Sequence, residues 1–99
     1  MSAQNLEIKA FEEKVSAELE ETKEQLVEFE AHVKGKGAQA EIDAINRLKS
    51  KQLEIDKKRQ VLKTVGDAKV GQVKAEIDAD VANLKTSLAE LALKLKKAG

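Results

Sequence analysis

His32 follows Glu28 by one helical turn, and an imidazole and a carboxylate at that spacing can face a single metal ion. It is the only histidine, and the chain has no cysteine. A di-iron bundle uses two Glu-x-x-His pairs with further inward carboxylates, and zinc takes three or four protein ligands. No metal is therefore expected, and His32 reads as a polar residue beside a seam near a helix end. Nucleophilic chemistry is equally short of parts. Ser2, Ser16, Ser50 and Ser87 fall in helical or terminal stretches, and one histidine cannot be assigned to activate any of them. Gly35-Lys36-Gly37-Ala38 resembles a phosphate loop in composition, but it lacks the Gly-x-x-x-x-Gly-Lys-Ser/Thr spacing and a preceding strand, so it reads as a turn. The many carboxylates fall on solvent faces, where nothing tunes them for proton transfer. The expectation is a protein that is not an enzyme, with no catalytic residue, cofactor, metal or small-molecule substrate.

Lys57-Lys58-Arg59 with Lys63 forms a basic patch, but Glu54 and Asp56 flank it and no aromatic residue is near to stack on bases. Eighteen basic residues balance eighteen acidic ones, so no net field steers the chain to nucleic acid or anionic lipid. Nucleic acid is not expected as a partner. The patch reads instead as the surface that faces an acidic helix. Without cysteine there is no disulfide framework. The start, Met-Ser-Ala-Gln-Asn-Leu-Glu, lacks the basic and apolar regions of a secretory signal, and no stretch approaches the ~20 apolar residues of a membrane span. A cytoplasmic protein is expected.

The elements that must carry these residues are helices. At 99 residues the chain is read as a single helical domain spanning 1–99. Ala, Glu, Lys and Leu dominate, proline is absent, and the five glycines divide the chain into three long segments. In the first, about residues 5–34, Ile8, Phe11, Val15, Leu19, Thr22, Leu26, Phe29 and Val33 recur at the helical period. A turn at 35–38 follows, where glycines supply positive φ. The second segment, about 39–65, carries Ile42, Ile45, Leu48, Ile55, Leu62 and Val65. Gln52 and Arg59 interrupt its stripe and are expected at the flank of the seam, the stem of Arg59 covering apolar surface. The third, about 67–98, has the cleanest seam: Val70, Val73, Ile77, Val81, Leu84, Leu88, Leu91 and Leu95. Lys94, Lys96 and Lys97 suit its C-terminal dipole.

Between the second and third segments two readings stand. Gly66 followed by Asp67 reads as a helix stop and then an N-cap. The apolar phase nevertheless runs almost unbroken from Leu62 to Val73, which a continuous helix of nearly 60 residues would preserve. The break is the preferred reading. Charge orders the pairing: residues 1–34 carry −5, residues 35–65 carry +4 and the remainder +1. A tight turn then folds the acidic helix against the basic one, with charge setting register and apolar burial supplying stability. The expected fold is all-α, an up-down-up three-helix bundle or antiparallel coiled coil, or a form with the second and third helices continuous. A core this small favours added burial between chains, so a homodimer or a helical protein partner is expected.

The layout resembles a family of small bacterial all-helical coiled-coil proteins, sometimes described as stress-associated. The residues that carry it are Ala38-Gln39-Ala40-Glu41-Ile42, Gly66-Asp67-Ala68 and Lys74-Ala75-Glu76-Ile77. The resemblance spans nearly the whole chain through low-complexity motifs, and it implies no reaction and no catalytic residue. Two functions follow from residues and resemblance together. One is a structural or protein-interaction bundle, stress-associated by resemblance. The other is an amphipathic lipid- or granule-surface protein of apolipoprotein-like or phasin-like character. Zero net charge, absent tryptophan and a narrow stripe favour the first.

Overall fold

The computed structural model describes the backbone of residues 3–98 and the side chains of residues 6–96. Three helices account for almost all of it: α1 (Ala3–Val33), α2 (Gln39–Val61) and α3 (Asp67–Ala98). They form an all-α three-helix bundle, a rod of 52 × 17 × 17 Å in which every helix touches both others. Among the described residues there is no strand.

The helical periodicity fixes what lies inside. Phe11, Val15, Leu19, Leu26 and Val33 of α1 are buried against Ile45, Leu48 and Ile55 of α2 and against the α3 seam from Val70 to Leu95. Ile8, Phe29, Ile42, Val65 and Val73 pack half-buried around this core. Each expected seam position therefore faces inward. The outward faces carry the charges, as a narrow apolar stripe on a helix requires.

The first connection works as its glycines suggest. Gly35 and Gly37 have φ of 80° and 66°, a left-handed backbone that a Cβ would strain. The Lys36 N–H donates to the Val33 carbonyl at 3.1 Å, closing the end of α1. Ala38 then starts α2 with no side-chain cap, its methyl half-buried against the core.

The second connection departs from expectation in two ways. α2 and α3 are separate, so the continuous-helix alternative does not hold, and α2 ends at Val61 rather than near residue 65. The stop is also made upstream of Gly66. The Lys63 N–H donates to the Gln60 carbonyl and the Thr64 N–H to the Val61 carbonyl, three-residue bonds that tighten and end the helix. The Thr64 hydroxyl also donates to the Val61 carbonyl at 2.9 Å. Gly66 does not take up the left-handed conformation. Asp67 is the first residue of α3 rather than its N-cap, and its carboxylate still lies at the positive end of the helix dipole. The phase persists across this break because Leu62, 1% exposed, and the half-buried Val65 fix the connection to the core.

Candidate interaction surface

The residues singled out for chemistry do not converge. His32 lies exposed in the last turn of α1, and Glu28 is exposed one turn before it. Among the described residues no group of three or more His, Cys, Asp or Glu is placed to hold a metal ion. Ser2 and the side chain of Lys97 lie outside the described residues. The Ser50 hydroxyl donates to the Asn46 carbonyl one turn back, Ser16 is half-buried on α1, and Ser87 lies half-buried in a groove with Arg47 and Glu90. Lys36 is exposed in the glycine turn.

The basic patch divides in four directions. Lys57 is exposed. The Lys58 ammonium donates to Asp80 Oδ2 on α3 at 2.6 Å, and this hydrogen bond raises the Lys58 pKa above its usual 10.5, against the lowering effect of desolvation. Arg59 Nη2 donates to Asp56 Oδ1 of its own helix at 2.5 Å. Only Lys63 reaches the acidic helix, its ammonium 3.9 Å from Glu12. The reading of the patch as a surface facing α1 is thus corrected for Lys58 and Arg59: a bundle gives α2 two neighbours, and helical rotation turns Lys58 toward α3. Lys49 on the same helix does pair with Glu30 of α1. The third seam has its own bridge, Lys85 to Glu18 at 2.6 Å, which raises the Lys85 pKa through its hydrogen bond.

Gln52 corrects a second expectation. It is buried, not flanking: its Nε2 donates to Thr22 Oγ1 at 2.8 Å, and the Thr22 hydroxyl donates in turn to the Leu19 carbonyl at 2.8 Å. A buried side-chain amide needs a partner, and Thr22 sits at the level on α1 that supplies one. The result is one polar step in an otherwise aliphatic seam. Arg59 does lie at the seam's flank, though its Nε, like one carboxylate oxygen of Glu12, is buried without a hydrogen-bond partner.

A feature that the periodicity did not single out lies on the outside of the same hairpin. Val27 of α1 and Leu53 of α2 are 65% and 64% exposed and line one open groove of about 580 Å³ between the two helices. Lys23, Glu30, Lys49 and Asp56 form its charged rim. The signal was present in the sequence. Both residues are apolar, fall outside their seams, and sit four residues after a lysine and three before an acid.

No family model matches the chain, and neither a curated protein nor a solved structure matches it. Nothing in these comparisons bears on the resemblance to small bacterial coiled-coil proteins.

Proposed function

We propose that this protein is a non-enzymatic structural bundle that acts by binding helical protein surfaces, a second copy of itself included, and that it works in the cytoplasm. One observation carries the reading: the apolar seam is consumed internally. Leu84, Leu88, Leu91 and Leu95 are each at most 5% exposed, so the best hydrophobic stripe of the chain is spent on its own fold. What remains outward is charged helix surface in which Leu6, Val27, Leu53, Val61 and Leu93 are set, with Val27 and Leu53 lining one groove, a composition suited to contact with another helix of complementary charge.

A lipid-surface binder would have to open the bundle and lay the α3 stripe on the interface. No helix of the described residues is long and apolar enough to cross a membrane. Flotation of the protein with neutral and with anionic vesicles tests the choice. The proposal expects the protein to stay in the aqueous fraction with its helical fold and thermal transition unchanged. Co-flotation accompanied by loss of the compact fold overturns it in favour of lipid-surface binding.

A further inference from the structure

The two grooves that flank α3 carry opposite charge at the same height. Both run beside one stretch of α3, from Lys85 to Lys94. The α1·α3 groove is lined by Glu21, Glu24 and Glu28 against a single base, Lys85, which is already committed to Glu18. The α2·α3 groove is lined by Arg47, Lys51 and Lys94 against a single acid, Glu90. Among the described residues, none of Glu21, Glu24, Glu28, Arg47 and Lys94 forms an ion pair within the chain. Between the grooves, the outward line of α3 bears no charge. Ala75, Ala79, Ala82, Thr86, Ala89 and Leu93 are all exposed and follow one another at alternating steps of four and three, the spacing of a coiled-coil contact. The outward line of α1 carries Glu13, Glu20 and Glu24 instead.

Charge on the two sides selects the occupant. A two-fold axis parallel to the helices exchanges the sides of α3 without changing height, so the acidic groove of each copy meets the basic groove of the other, and each residue of the α3 line meets its own copy. An axis across the rod, centred on this stretch, would set acid on acid and base on base. The small side chains hold the two α3 axes near the short end of the roughly 8–10 Å range for packed helices, which brings the flanking grooves within reach of each other. The face is 52 Å long and 17 Å wide, large enough for the roughly 800 Å² per partner that specific interfaces bury. We propose that the outward face of α3 is a homodimer interface, in which the α3 helices of two copies pack parallel from Ala75 to Leu93 and the acidic α1·α3 groove of each copy pairs with the basic α2·α3 groove of the other.

This rests on the protein-interaction reading above, and the test separates the two. Sedimentation equilibrium combined with small-angle scattering reads mass and length together. The proposal expects the mass to double with concentration while the particle keeps the length of one rod. It expects Ala82→Glu with Ala89→Glu, both at exposed positions, to weaken dimerisation at least tenfold with the helical content unchanged. Charge variants reach the grooves without touching the α3 line. Arg47→Glu with Lys51→Glu makes both grooves acidic, and Glu24→Lys with Glu28→Lys makes both basic. Each pair alone should weaken dimerisation at least tenfold, and an equimolar mixture of the two variants should recover the parent's affinity as a heterodimer.

Single cysteines locate the axis. The chain has none of its own, so Ala75→Cys and Ala89→Cys, made separately, each supply one thiol. The parallel axis sets each opposite its own copy, and both variants should oxidise to a disulfide-linked dimer. An axis across the rod serves one of them at most, because the two positions lie about 21 Å apart along the helix. Failure of either variant to cross-link overturns the proposed geometry, as does a dimer markedly longer than one rod. A monomer at millimolar concentration, a dimer indifferent to the Ala82 and Ala89 changes, or a mixture of charge variants that fails to associate overturns the interface. A monomer that also ignores vesicles leaves the protein-interaction reading standing with a different partner, whereas a monomer that floats with vesicles and loses its compact fold overturns both.

Discussion

The seam of α3 and the seam between α1 and α2 are built from the same helical spacing but differ in chemistry. From Val70 to Leu95 every buried position of α3 is aliphatic, whereas the hairpin seam is crossed at its middle by the Gln52 to Thr22 bond. Aliphatic seams are cohesive but tolerate slippage by a turn, since one leucine replaces another at little cost. A buried amide finds its hydroxyl in one register only. The comparison assigns cohesion to α3 and register to the hairpin.

The largest expected effect tests the first half. Leu88→Asp sets a carboxylate without a partner into the aliphatic seam and should cost at least about 4 kcal/mol. Against a total stability of roughly 5–15 kcal/mol for a domain of this size, circular dichroism at 25 °C should show partial or complete unfolding. A variant that melts like the parent would mean that α3 does not hold the bundle.

Gln52 tests the second half. Gln52→Ala opens space and removes the donor to Thr22, for an expected loss of about 2 kcal/mol in chemical denaturation. Gln52→Leu with Thr22→Val removes both polar groups together and should fall within about 1 kcal/mol of the parent, or above it. The amide spectrum of that double variant should broaden or split as alternative registers become populated. A single sharp set of resonances would remove the register role.

The connections were legible to different degrees for a physical reason. The turn at 35–38 was readable because Gly35 and Gly37 are needed for their left-handed backbone, a requirement that residue type announces. The sequence signal at Gly66 puts the end of α2 four residues late, while the stop is made by Thr64 and the tightened bonds before it, using residues that also occur inside helices. All three core stripes could be read from period alone. The burial of Gln52 could not, because its position on the stripe is explicable only once Thr22 is known to lie opposite.

The glycines sharpen the contrast between connection and helix by about 1 kcal/mol in each direction. Gly35→Ala should lose roughly that much, since it forces a Cβ into positive φ. Gly71→Ala, inside α3 with open space around it, should gain about 0.5–1 kcal/mol from helix propensity. Thermal melts of the two variants should therefore shift in opposite directions. A shared sign would contradict the backbone assignment at one of them.

The smallest effect concerns the ion pairs that tie α3 to its neighbours. The pKa values of Lys58 and Lys85 are raised above 10.5, so their stabilising contribution is fully present below that pH and is lost as pH rises through the higher folded-state values. The melting temperature should show no pH dependence from these pairs between pH 7 and about 10, then a decline above 10.5 that is shallower in a Lys58→Met, Lys85→Met variant. An equal decline in parent and variant would show that the two bridges are energetically silent.

The closed return of α3 onto the hairpin is tested most directly by a distance between α2 and α3. Lys51 and Glu90 line the same groove, and a chain without cysteine accepts spin labels at Lys51→Cys and Glu90→Cys without ambiguity. Electron spin resonance on labelled protein diluted into unlabelled protein should give one narrow distance on the scale of the 17 Å rod width, unchanged by vesicles. A distance near the roughly 58 Å that separates these positions on an uninterrupted helix, in buffer or on adding lipid, would contradict the closed bundle.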